Sequence, residues 1–364
     1  MQAQITQEQI TSLLSQVLYP NFQKDIVSYG FVKEIKTTGD SSCEILIAIP
    51  SSDSNVAKAL HDRIDNTMEK AGINAKISIQ TPTPQNPAQD SAPKGKNLLP
   101  QVKHFIMVSS GKGGVGKSSV ATNLAIALAM EGKKVGLLDA DIYGPNIPRM
   151  FGVHGQKPNL DPSGKKLIPL HAYGVDLMSM GMLFDEGESL IWRGPMLMRA
   201  IVQMFSDVVW GDLDIMVLDM PPGTGDAQLS IAQNIPVSAG VAITTPQLVS
   251  LDDGARALDM FVKLSIPIAG IVENMSSHIC ANCGCEQEIF GKDTTLPLAQ
   301  KYNTQVIAKI PLDPSVREGG DNGKPVVYFA PDSAIGKAYR NMAHTLLEFL
   351  TQNTHANNST IQPR

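Results

Sequence analysis

Cysteine is scarce in this sequence, aromatic residues are scarce, and long apolar runs are missing. Four cysteines in 364 residues are too few to staple a fold of this size, which excludes a disulfide-built secreted domain. Aromatics reach only 5%, yet hydrophobic residues make up 43% and charged ones 18%, so aliphatic side chains suffice for the full core of a soluble globular protein. There is no excess of positive charge: the net charge is −5, which leaves no electrostatic footprint for nucleic acid. No apolar stretch approaches the roughly 18 residues of a membrane helix. The N-terminal MQAQITQEQI lacks the basic start and apolar core of a secretory signal. These absences describe a cytosolic protein with neither nucleic acid nor membrane as partner.

Proline marks the clearest boundary. Pro82, Pro84, Pro87, Pro93 and Pro100 fall within one polar stretch, a composition that behaves as a semi-extended tether. The expected organisation is a small α+β module over 1–80, a linker over 81–101, a larger domain over 102–350 and a polar, unstructured tail over 351–364. In the first module Thr6 and Gln9 form a capping box for a helix burying Ile10, Leu13, Leu14 and Val17. Strands are expected over Ile26–Ile35 and Glu44–Ile49. A helix carries Val56, Leu60, Ile64 and Met68, and a strand alternates through Ile73, Ala75, Ile77 and Ile79. In the larger part, short apolar strands begin at Phe105, Val135, Ile215, Val241, Ile268 and Val306. They alternate with helices such as Lys117–Met130, Pro195–Val209, Ser250–Leu264 and Ser333–Leu350. That alternation predicts an α/β fold with a mostly parallel, doubly wound sheet.

Between the first strand and first helix of that domain lies Gly111-Lys112-Gly113-Gly114-Val115-Gly116-Lys117-Ser118, a P-loop in the context phosphate cradling requires. Its glycines let successive N–H groups face a phosphate, and the helix dipole adds to the attraction. Lys117 is expected to reach the β- and γ-phosphates of ATP, and the Ser118 hydroxyl to ligate Mg²⁺, with Ser119 completing the nucleotide loop. Asp139 and Asp141 follow one apolar strand. Asp219 closes another in the arrangement of a Walker B aspartate, ahead of Met220-Pro221-Pro222-Gly223-Thr224-Gly225-Asp226, a turn built to respond when a γ-phosphate leaves.

Cys280, Cys283 and Cys285 lie within six residues. Two thiolates spaced Cys-x-x-Cys can hold a metal centre from one turn, and Cys285 reads as accessory. No second pair completes the ligand count within one chain, whereas a symmetric dimer supplies four thiolates. All-sulfur ligation suits zinc or an iron–sulfur cluster, and the spacing fits both.

The loop with its additional Lys112 resembles the deviant Walker A of the MinD/ParA class of dimeric ATPases. With the Asp219–Asp226 turn and Cys-x-x-Cys, the chain resembles the Mrp/ApbC family of iron–sulfur cluster carrier ATPases. Asp141-Ile142-Tyr143-Gly144-Pro145-Asn146, Trp192-Arg193-Gly194-Pro195-Met196 and Glu273-Asn274-Met275-Ser276 agree with it. The first module resembles the MIP18-like domain, notably over Lys24–Val32, but has no cysteine in Ile49-Pro50-Ser51-Ser52-Asp53. The resemblance implies an ATP-hydrolysing homodimer in which Lys112 reaches the partner's nucleotide, Asp141 orients the attacking water and Asn274 reads adenine. It further implies that Cys280 and Cys283 of both chains bridge a [4Fe–4S] cluster that is passed to apoproteins.

Competing readings are a positioning ATPase of the MinD/ParA kind, an ATPase with structural zinc at the cysteines, and a metabolic kinase or reductase. The first leaves the cysteine loop unexplained, and the third has no substrate-pocket residues beyond the nucleotide loops.

Overall fold

The computed structural model describes residues 5–20, 25–28, 30–39, 41–49, 54–80, 97–142, 144–183, 194–223, 225–280 and 282–359. The expectations placed on Lys24, Tyr29, Pro50–Asp53, most of the linker, Tyr143, Trp192-Arg193, Thr224 and the last five residues lie outside these. The chain divides into two compact units, Met1–Asp90 and Ser91–Arg364.

In the first unit, helix α1 (Gln7–Leu14) begins with the expected capping box, Thr6 accepting from the Gln9 N–H and Gln9 from that of Thr6. Strands β1 (Val32–Gly39) and β2 (Ser42–Ala48), helix α2 (Ser54–Lys70) and strand β3 (Asn74–Gln80) follow. The sheet order is β1-β2-β3. The β1–β2 pair is antiparallel, while β3 returns parallel to β2 because α2 makes the crossover. Ile10, Leu14, Ile45, Ile47, Leu60, Ile64 and Met68 form the core. The strand expected over Ile26–Ile35 starts only at Val32. The Asp25 carboxylate accepts the Val27 and Ser28 N–H groups and winds that segment into a turn. Cys43 is buried in this core, and burial pushes its thiol pKa up.

The second unit is a nine-stranded sheet. Its elements run β4 (Val102–Ser109), α3 (Lys117–Met130), β5 (Val135–Asp139), α4 (Ile147–Met150), β6 (Leu170–Ala172), β7 (Val175–Ser179), α5 (Gly194–Ser206), β8 (Leu213–Asp219), α6 (Asp226–Asn234), β9 (Val237–Thr244), α7 (Leu248–Lys263), β10 (Ile268–Ile279), β11 (Glu286–Gln287), α8 (Leu296–Lys301), β12 (Val306–Leu312), α9 (Pro314–Asp321), α10 (Val326–Phe329) and α11 (Ala334–Ser359). The path is β11-β10-β9-β4-β8-β5-β7-β6, with β12 also on β10. Among the described residues, the β6–β7 and β10–β11 pairs of this sheet are antiparallel and the others parallel. Central strands such as Phe105–Val108 and Ile215–Leu218 are buried on both faces, which is why they read as unbroken apolar runs.

The chain passes from β4 to β5 across β8, so the loops after β4, β8 and β5 open at one edge of the sheet, where such folds gather ligands. Register places Asp219 opposite both Val108 and Asp139. Helix α3 is apolar nearly all round and buried from Val120 to Leu128. It lies between the sheet and helices α10 and α11, and its Asn123 accepts the Val327 N–H (3.1 Å). The tail expected to lack structure is helical: α11 continues to Ser359. No proline or glycine falls between Thr351 and Ser359, and Thr351 and Asn353 each donate to a carbonyl one turn back.

Candidate functional site

Two glycines of the P-loop are fixed by neighbours as much as by phosphate. A Cβ at Gly111 would overlap the backbone carbonyl of Asp253 on α7, and one at Gly116 would overlap the Asn274 amide nitrogen. Gly114 and Gly116 also adopt left-handed φ values of 82° and 84°, which L side chains rarely tolerate. Gly116 caps α3 with no side-chain bond to its first amides, so those N–H groups point into the loop's cradle. Gly113 faces open space, and Val115 is buried. Lys112 lies half-buried at the loop's mouth, its carbonyl accepting from the Ser110 hydroxyl (2.9 Å). Ser119 sits in the first turn of α3, its carbonyl taken by Asn123.

The chemistry-bearing side chains converge. Lys117 Nζ lies 2.6 Å from Asp219 Oδ1 and 3.8 Å from Asp141 Oδ2, and Ser118 Oγ donates to Asp219 Oδ2 (2.6 Å). Asp219 has no solvent exposure. Burial raises its pKa, opposed first by Lys117. Asp139, equally buried, accepts from Ser179 Oγ (2.8 Å) and from the Asp141 N–H (3.1 Å). Burial, reinforced by the Asp219 carboxylate, pushes its pKa to about 8. Asp139 therefore holds a proton near neutrality. Asp141 accepts from the Gly144 N–H (3.3 Å). Asn274 lies on β10 and donates to the Val115 carbonyl (2.8 Å), tying that strand to the loop.

The cysteines occupy the tip of the β10–β11 hairpin. The Cys280 N–H donates to Cys285 O (3.0 Å) and the Gly284 N–H to Cys280 O (2.8 Å). Gly284 takes the left-handed turn position. The backbone N–H groups of Cys283 and then Asn282 lower the Cys280 thiol pKa, with help from the Cys283 side chain, so the turn favours thiolate. Cys280 is half-buried, while Cys283 and Cys285 are exposed. The Cys285 thiol leans toward its neighbour's carbonyl, Glu286 O (3.9 Å).

A family description within ParA, the NUBPL iron-transfer P-loop NTPases, matches residues 101–347. The chain belongs to this family. An iron-sulfur cluster carrier protein of Helicobacter pylori is 55% identical over 362 residues, spanning 99% of this chain and 98% of that one. The carrier protein of Escherichia coli K12 is 52% identical over 242 residues, 66% of this chain and 65% of its own. Among solved structures, a nucleotide-binding protein from Archaeoglobus fulgidus in complex with ADP is 36% identical, with TM-score 0.55. That match covers 62% of this chain and 88% of that one. The cell division ATPase MinD of Pyrococcus furiosus shares the fold at 22% identity and TM-score 0.52, over 67% and 98% of the two chains.

In this NUBPL-type NTPase some site residues carry no motif of their own. Ser179 on β7 steadies Asp139. Gln228 donates to Pro221 O and Gly223 O and accepts from the Gly225 N–H, bracing the turn after Asp219. Only its place three residues into α6, as a partner for the helix-start amide, could have signalled Gln228.

The protonated Asp139 predicts a pH effect of definite sign. Its folded pKa, about 8, lies above the ordinary 3.8. The folded state therefore binds more protons than the unfolded one between those values, and stability falls as pH rises through that window. Thermal unfolding from pH 5 to 8 should show a declining Tm, and Asp139→Asn should flatten the decline. A wild-type Tm that rises steadily to pH 8 would contradict the assignment.

Proposed function

We propose that this protein is an ATP-binding and ATP-hydrolysing carrier, working in the cytoplasm, that takes up an iron–sulfur cluster between two copies of the chain and delivers it to apoproteins. The observation that supports it most is the pairing of a complete phosphate site with a thiolate-favouring Cys-x-x-Cys turn on the same sheet. The relatives named as cluster carriers, one of them aligned over 99% of this chain, lend the same support.

The residues fit Mg²⁺. Ser118 and Asp219 present hard oxygen donors side by side at the foot of the P-loop. When bound there with ATP, the ion would neutralise charge on the β- and γ-phosphates. The rest is done by the chain. Backbone N–H groups of Gly113 to Ser118 receive phosphate oxygens. Lys117 exchanges its Asp219 partner for the β/γ-phosphates, freeing that carboxylate to face the cation. Asp141, 3.8 Å from the same ammonium, orients the attacking water. Lys112, at the loop mouth, reaches the partner's nucleotide. Asn274 contacts adenine with the amide valences that Val115 leaves open. The cargo, a [4Fe–4S] cluster, takes two thiolates from Cys280 and Cys283 of each chain.

Anaerobic reconstitution with iron and sulfide tests the reading. The protein should turn brown, with a broad visible absorption and iron and sulfide in equal amounts. Zinc retained at the cysteines with no chromophore would leave an ATPase carrying a structural metal.

A further inference from the structure

Strand β10 serves both sites. At Asn274 it donates to the Val115 carbonyl (2.8 Å), and Met275 follows with its Cε at the edge of Gly116. Five residues beyond Met275 the same strand delivers Cys280. A fully extended strand would span at most about 20 Å between Asn274 and Cys280.

Between those points the strand is irregular. Met275 has φ 55°, a left-handed conformation that is costly for a residue with a side chain and marks functional positions when the surroundings enforce it. Pairing with β12 slips there too. Asn274 pairs with Ile310, but the next pair is His278 with Leu312, so β10 carries two more residues than its partner. Beyond the slip the strand is braced. Ser277 Oγ donates to Glu286 Oε1 (2.6 Å), and His278 and Ile279 pair with Gln287 and Glu286. Before it, the buried Glu273 accepts from Thr295 and lies 4.0 Å from the Lys309 ammonium. A cavity of about 150 Å³, lined by Glu273, Ser276, Ser277, Glu286 and Lys309 among others, leaves the bulge room to move. The strand is thus two braced segments joined at Met275.

We infer that Met275 is the hinge through which the state of the P-loop sets the position of the cysteine turn. The Val115 carbonyl belongs to the loop that phosphate orders, so nucleotide binding acts on Asn274. The bulge converts a shift at Asn274 into rotation of the stapled hairpin, because neither flanking segment can bend. This rests on the carrier reading only for the purpose of the cysteines, not for the coupling.

The test uses the reduced full-length protein without cluster. Alkylation of Cys280 and Cys283 by iodoacetamide is followed by peptide mass spectrometry with and without saturating MgADP. Binding is verified by calorimetry and oligomeric state by size-exclusion chromatography. Wild-type rates should change by about fivefold or more on binding, the lower range of allosteric couplings. Met275→Gly, which adopts the left-handed φ without strain, should bind MgADP but lose most of the response. If Met275→Gly does not fold, Ser277→Ala, which unbraces the hairpin, serves instead with the same expectation. Wild-type thiols indifferent to bound MgADP, or a full response in the variant that folds, would overturn the hinge. Failure to take up iron and sulfide with nucleotide-sensitive thiols intact would overturn the carrier reading and leave the hinge standing.

Discussion

Lys117→Ala is expected to remove nearly all nucleotide affinity and to destabilise the domain in a pH-dependent way. The Lys117 side chain is 6% exposed, its ammonium bonded to a fully buried carboxylate and within 3.8 Å of another. On binding, Lys117 would pair with the phosphates instead, and removing one partner of such a buried charge pair costs about 2–5 kcal/mol in binding, or roughly 30- to several-thousand-fold in Kd. Calorimetry with ADP and Mg²⁺ measures it. The second effect comes from Asp219. With Lys117 gone, its already raised pKa rises further. The folded state then binds a proton that the unfolded chain has released, and stability drops as pH increases above the ordinary carboxylate range. The variant's Tm deficit should therefore be larger at pH 8 than at pH 6. An equal deficit at both would mean that Lys117 does not compensate Asp219, and near-normal ADP affinity would remove the lysine from the phosphate site.

The second large effect belongs to the cysteines. On the proposed reading, in which two identical chains share the cargo site, each substitution acts twice. Cys280→Ala or Cys283→Ala therefore deletes two of four thiolates, and retained iron should fall by about tenfold or more after desalting, at least what losing an outer-shell partner costs a metal site. The two variants should be equivalent, although backbone amides of the turn favour the thiolate of Cys280. Cys285→Ala should keep iron and colour, since its thiol leans on the Glu286 carbonyl and the turn directs its amides at Cys280. Loss of iron in Cys285→Ala equal to that in Cys280→Ala would make it a third ligand and break the two-plus-two arrangement. Nucleotide binding measured alongside distinguishes lost ligation from lost folding.

The sequence made the phosphate machinery legible because each of its parts is local: the glycine spacing, the lysine that starts a helix, the aspartate that ends an apolar strand. The α/β alternation was legible for a related reason, since doubly covered parallel strands become apolar runs. What escaped depended on contacts between distant segments. Nothing about Asn274 in isolation announces that its amide faces Val115, 159 positions away, nor that Gly116 must be glycine partly to admit it. Strands β6 and β7 escaped because they are short and sit at a sheet edge, where pairing with β5 rather than composition decides the conformation. The turn at Asp25 and the extension of α11 were misread on composition. One carboxylate stopped a strand, and a polar run free of helix breakers kept winding.

Helix α3, enclosed from Val120 to Leu128 and pinned to α10 through Asn123, has a consequence for where change can occur. A rod held on every side cannot tilt or slide without opening the domain, so the helix behind the phosphate loop is a fixed abutment. Any displacement driven by nucleotide must then be taken up by the segments facing it, namely the turn after Asp219 and strand β10. A recipient that senses the bound state would do so on that rim of the molecule, and the opposite end of the sheet would look the same to it throughout the cycle.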